Sequence, residues 1–102
     1  MDEKLNAGFI FLAGGTTEKS RAVVETGTVK LHVIGVGNYD EACTEAVKLK
    51  EMGATAIELC AGFGNEGVSM VSKAVGSKVA VGAVKFDFHP ALGFKSGDEF
   101  FK

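Results

Sequence analysis

Val29-Lys30-Leu31-His32-Val33-Ile34-Gly35-Val36-Gly37-Asn38-Tyr39-Asp40-Glu41 is the stretch that decides the fold, because one run holds a strand, its end and the start of a helix. Val29 to Val36 is rich in β-branched residues and is punctuated by Gly35 and Gly37, the composition of a short strand. Asn38 followed by Glu41 has the spacing of a capping box, so a helix opens there. Tyr39, Ala42, Cys43, Ala46, Val47 and Leu49 then share one apolar stripe, with Asp40, Glu41, Thr44, Glu45, Lys48 and Glu51 outside it. Gly53 supplies the left-handed position that ends a helix before a strand. That strand is Thr55 to Cys60. A strand–helix–strand unit of this length predicts parallel pairing.

Working outward, Ala7-Gly8-Phe9-Ile10-Phe11-Leu12-Ala13 is almost wholly apolar and stops at Gly14-Gly15, as a strand buried on both faces would. Thr16 or Thr17 caps a short helix through Val24, with Glu18 in its first turn. The β-branched Val23, Val24 and Thr26 weigh against that helix, and without it the first two strands form an antiparallel pair. On the other side, the loop Ala61-Gly62-Phe63-Gly64-Asn65 leads into a helix from Glu66 to Val75. Gly76 ends it, and Lys78 to Phe86 is a fourth strand. The expected architecture is a single α/β domain over residues 1–102. It is a βαβαβαβ sandwich with a mostly parallel four-stranded sheet, either open and flavodoxin-like or curved like half of a barrel.

Residues 87–102 form a C-terminal tail of different character. Five of the eight phenylalanines lie between Phe86 and Phe101. Each gains roughly 1.5–3 kcal/mol on full burial, so the tail either closes over its own domain or docks on a second copy. A chain of 102 residues builds a modest core that a partner subunit would help. A homo-oligomer, dimer or higher, is therefore expected. Within the tail, Ser96 followed by Glu99 has the form of a cap opening a last short helix.

Net charge is −2 with Lys and Glu interspersed, so no basic stripe is present to neutralise a row of phosphates, and nucleic acid is excluded as a partner. No apolar run approaches the roughly 20 residues that span a membrane. Met1 to Asn6 has neither the positive nor the apolar region of a secretion signal, and Cys43 and Cys60 fall on packed elements rather than in a disulfide framework. A reduced, cytoplasmic setting is the natural expectation.

Parallel α/β sheets bind ligands beyond the carboxyl ends of their strands. Here those ends are Gly14-Gly15-Thr16-Thr17, Gly35-Val36-Gly37-Asn38, Cys60 to Asn65, and Lys85-Phe86-Asp87-Phe88-His89. Gly62, Phe63, Gly64 and Asn65 are the candidate cradle for a small, anionic molecule, since glycines admit a ligand to the backbone at a helix N-terminus. The same loop also reads as a tight turn that needs two glycines. It matches neither a dinucleotide fingerprint nor a Walker A loop, so no cofactor is identified.

Glu58 is the oddest residue, a carboxylate in an apolar strand. Alternation turns Ala56, Glu58 and Cys60 one way and Ile57 and Leu59 the other. Glu58 is the candidate acid–base group, or else half of a structural ion pair with Lys85 or Arg21. Cys60 at the strand end is a candidate nucleophile and His89 a candidate acid–base partner, while Lys85 is an electrostatic partner for ligand or Glu58. The bland readings are a buried apolar thiol and a hydrogen-bonded loop imidazole. Cys43 reads as packing, and His32 as an edge-strand surface residue. Glu58, Cys60, Asp87 and His89 lack the spacing of a metal-ligand set, so no metal is expected.

The segment Ala56-Ile57-Glu58-Leu59-Cys60-Ala61-Gly62-Phe63-Gly64, with His89-Pro90-Ala91-Leu92-Gly93 and Lys95-Ser96-Gly97-Asp98, resembles a family of small bacterial proteins grouped as a domain of unknown function. The resemblance runs from the first strand to the tail. It implies a small, cytoplasmic, bacterial-type single domain and carries no activity with it. Two readings follow for the function. One is an α/β domain that binds a small molecule at the strand ends, with or without catalysis. The other is a non-catalytic oligomerisation or interaction module.

Overall fold

A computed structural model of the chain describes residues 4–102. Five strands and two helices follow in the order β1 (Leu5–Leu12), β2 (Arg21–Glu25), β3 (Val29–Val36), α1 (Tyr39–Glu51), β4 (Ala56–Leu59), α2 (Asn65–Val75) and β5 (Ala80–Ala83). The sheet order is β2-β3-β1-β4-β5. β3, β1, β4 and β5 run parallel, and β2 pairs antiparallel with β3. The expected mostly parallel α/β sheet is therefore present, and its four parallel strands have the order of an open flavodoxin-like sheet.

The correction lies between β1 and β3. Four strands and a helix from Thr16 to Val24 were expected; the structure has a fifth strand there instead. Arg21-Ala22-Val23-Val24-Glu25 pairs with Lys30 to Ile34 through a tight turn, where Thr26 N–H donates to the Val29 carbonyl at 2.8 Å and the Thr26 hydroxyl oxygen accepts from Thr28 and Val29 N–H. Its β-branched residues suit an edge strand better than a helix. The strand expected over Lys78–Phe86 is also shorter, because residues 84–88 leave the sheet.

That replacement shapes the whole molecule. Right-handed crossovers from β3 over β1 to β4, and from β4 to β5, advance in one direction, which puts α1 and α2 on the same face. The first connection, from β1 back to β3, is the one whose helix would cover the opposite face. It joins the sheet edge instead.

The core therefore lies on one side only. Ile10 and Ile34 are register partners, as are Gly8 and Ile57, and Ile10 and Leu59, so these positions share the helical face. Against them pack Ala42, Ala46 and Leu49 of α1 and Val71 and Val75 of α2. A side chain at Gly8 would collide with Leu49, which explains the glycine in mid-strand. α1 begins as expected: Asn38 Oδ1 accepts from Glu41 N–H at 2.9 Å, and the Glu41 carboxylate accepts from Gly37 N–H at 2.9 Å. Gly53, at φ +95°, follows its end.

The other face is bare. β1 turns Leu5, Ala7, Phe9 and Phe11 to it, β3 adds Val29, Leu31 and Val33, and β2 adds Ala22 and Val24. Gly35 lies flat under the Phe11 ring. β4 and β5 supply Ala56, Glu58, Ala80 and Gly82. Among the side chains that the five strands place on this face, Glu58 is the only polar one. Parallel sheets are ordinarily covered on both sides, so a bare apolar face is the unusual feature of this fold.

Candidate functional site

β4 positions the two candidate groups that the structure brings together. Ile57 and Leu59 are 1% exposed in the core, and Glu58 between them is exposed on the bare face, as alternation predicts. Cys60 follows on the same side. With Phe9, Gly82, Ala83 and Val84, these two residues line a cleft of about 440 Å³ at the carboxyl ends of β4 and β5, against Phe9 in the middle of β1, within the range of ligand pockets. It lies where the connections of β1 and β4 diverge in opposite directions, the crevice at which open α/β sheets take ligands.

Neither expected partner reaches Glu58. Lys85 pairs with Asp87, and Arg21 with Glu45 at 2.9 Å, leaving Glu58 in no ion pair among the described residues. The Cys60 thiol is fixed from two sides. Its Sγ accepts from Leu12 N–H at 3.3 Å and from Gly62 N–H at 3.4 Å, while Cys60 N–H donates to Ile10. The sulfur is thus half-buried between β1 and the loop that follows β4.

The other candidates lie elsewhere. His89 is in a turn, where its Nδ1 accepts from Ala91 N–H at 3.1 Å and its ring lies 5.4 Å from that of Phe86. Lys85 and Asn65 line a separate groove of about 400 Å³ between α2 and β5, with Ser69 and Ser72. His32 is on β3, an internal strand rather than an edge; its Nε2 is buried without a partner, and burial, aided by Lys30 and Arg21, pushes its pKa down. Burial and Asp40 push the half-buried Cys43 thiol up. Among the described residues no three of His, Cys, Asp and Glu gather as metal ligands, and no helix is long and apolar enough to cross a membrane.

The loop Gly62-Phe63-Gly64-Asn65 is built around the tail. Phe63 is fully buried and stacks on Tyr39 at 5.5 Å. Gly64 N–H donates to the Tyr39 hydroxyl at 2.9 Å, and that hydroxyl donates to Asp98 Oδ1 at 2.9 Å. The Asp98 carboxylate also accepts from Glu66 N–H at 3.1 Å and from Gly67 N–H at 3.3 Å. Gly64 itself offers α2 no side-chain cap, so a residue of the tail caps it instead. The helix N-terminus at which a ligand anion was expected thus holds the chain's own carboxylate.

The tail is held by more than Asp98. Ser96 opens a one-turn 3₁₀ helix, Gly97–Glu99, as its spacing predicts. Phe101 packs 6.1 Å from Tyr39 and accepts from its N–H at 3.1 Å. Of the five phenylalanines from Phe86 to Phe101, Phe101 alone is half-buried, and Phe86, Phe88, Phe94 and Phe100 remain exposed. Reasoning from sequence missed Asp98. The available signal was an acidic residue in a tail that had to pack somewhere, paired with an uncapped glycine at a helix start.

The fold and site define a two-layer α/β protein with helices on one face, a bare apolar face opposite, and a carboxylate–thiol cleft at its carboxyl rim. The chain belongs to a family of unknown function, DUF6506, which it matches over residues 5–99. No curated protein and no solved structure matches it.

Proposed function

We propose that this protein binds a small molecule in the cleft formed by Phe9, Glu58, Cys60 and Val84. The observation that carries the reading is Glu58: the one polar side chain that the strands place on an otherwise apolar sheet face, in no ion pair among the described residues, lining a ligand-sized crevice at the carboxyl ends of the strands. Phe9 and Val84 offer an apolar wall, and the carboxylate accepts a hydrogen bond from an amine, amide or hydroxyl of the ligand. With Asp98 filling the start of α2 and a carboxylate in the cleft, the site favours a ligand that presents a donor or positive charge over an anion. Cys60 stands beside it as the second reactive group.

An assembly module is the other reading, favoured by the bare apolar face and the exposed tail aromatics. The two are compatible. Native mass spectrometry of freshly purified protein, with a denatured control and the Glu58→Gln variant, tests the binding reading. Extra mass lost on denaturation and absent from Glu58→Gln supports it. A bare polypeptide mass, together with no amide shifts at Glu58, Cys60 or Gly82 in a screen of small amines and amides, refutes it.

A further inference from the structure

We infer that the bare face of the sheet is an interface between two copies of this chain, an inference that stands whether or not the cleft holds a ligand. The missing crossover helix leaves an apolar surface spanning all five strands, with Val24 54% exposed at one side of it. Its size fits a partner of its own kind. Five strands at about 4.8 Å make it about 24 Å wide, and strands of four to eight residues average about 20 Å in length. The projected area is then about 480 Å² per copy, so a face-to-face pair buries about 960 Å² from the strands alone, just under the roughly 1,000 Å² that a specific interface should clear. Exposed Val84, just beyond the end of β5 and beside Glu58 in the cleft, adds to it.

Chemistry narrows the occupant further. A face that met an anionic membrane would carry lysines and arginines around its apolar centre. Here the one charge on the face is a carboxylate and the chain is net negative. A twisted sheet of Leu, Val and Phe packs well on its own copy, as two sheets do in a sandwich about 10 Å apart. Glu58 stands on the strand next to the β5 edge, near the carboxyl ends. The partner must therefore leave the carboxyl end of β4 open to water, so that it walls the cleft without burying the Glu58 charge.

Light scattering coupled to size exclusion at about 50 μM tests this, with wild type, Val24→Glu and Phe88→Ser run side by side. Val24 is exposed in the single chain, so glutamate there is solvated in a monomer, and only a partner across the sheet opposes it. The expected result is wild type and Phe88→Ser at twice the 10.6 kDa chain mass, and Val24→Glu at the chain mass with an unchanged far-ultraviolet circular dichroism spectrum. The dimer dissociation constant should rise by about 100-fold or more when that charge is trapped in the interface. A wild-type monomer overturns the inference. So does a Val24→Glu dimer, and dissociation by Phe88→Ser instead would move the interface to the tail.

Discussion

Replacing Asp98 with alanine should unfasten the tail and the start of α2 together. The carboxylate caps α2 through Glu66 and Gly67 N–H and accepts the Tyr39 hydroxyl. Loss of an N-cap costs about 1 kcal/mol. The Tyr39 ring is fully buried, and a buried hydroxyl left without its acceptor adds about 1–3 kcal/mol. The sum is about 2–4 kcal/mol, a large share of the roughly 5–15 kcal/mol that holds a domain of this size. The melting temperature should fall on the order of 10–20 °C. Asp98→Asn keeps an acceptor and loses the charge, so it should cost about 1 kcal/mol.

A double-mutant cycle isolates the contact. Tyr39→Phe removes the donor to Asp98 and also the acceptor of Gly64 N–H, so it is costly alone. In the double variant the shared hydrogen bond is lost once rather than twice, and the summed single effects should exceed the measured one by about 1 kcal/mol. Urea denaturation gives the free energies, and amide exchange at Glu66 and Gly67 reports the cap directly. Asp98→Ala within about 0.5 kcal/mol of wild type, or strict additivity with Tyr39→Phe, would show that the tail is held by something else.

Three further outcomes follow from the same contacts. Gly97→Ala places a methyl group against the Gly62 carbonyl oxygen, a backbone atom that cannot swing aside, and should cost about 1–3 kcal/mol or more in urea denaturation, whereas Gly14→Ala, which meets nothing, should be close to neutral. Tyr39 is the only tyrosine, and burial, reinforced by Asp98 against the opposing Gly64 N–H, pushes its pKa well above 10; the neutral phenol belongs to the fold, so stability is full below pH 10 and declines above it. Absorbance at 295 nm should therefore rise only as the protein unfolds, and a simple titration near pH 10 with the fold intact would contradict the burial. His32, with its pKa pushed below 6.5, has the opposite sense: the unfolded chain takes the proton first, so its contribution is present above pH 6.5 and is lost as pH falls below it. Its imidazole resonances should titrate below 6.5, and a midpoint at or above that value would refute the assignment.

What could be read from the sequence was local. The Asn38–Glu41 cap, Gly53 and the stripe of α1 are signals within one turn or one element, and the period of two in β4 put Glu58 opposite Ile57 and Leu59 without knowledge of any neighbour. The interlock of Gly62-Phe63-Gly64 with Ser96-Gly97-Asp98 was not legible, because each half has an ordinary reading alone: a turn in one case, a capped tail in the other. Only their contact shows that Gly64 lacks a side chain because Asp98 and Ser96 occupy its space. Arg21 to Glu25 was ambiguous for a related reason, since what makes it a strand is its pairing with β3. That one choice has the widest consequence. A helix there would have crossed over the face on which Phe9, Val33 and Glu58 lie. A strand at the edge leaves all three uncovered, so the proposed ligand cleft and the proposed dimer face have a common origin in residues 13–28. The two proposals are accordingly coupled in space but separable by experiment, because Val24 touches only the second and Glu58 anchors the first.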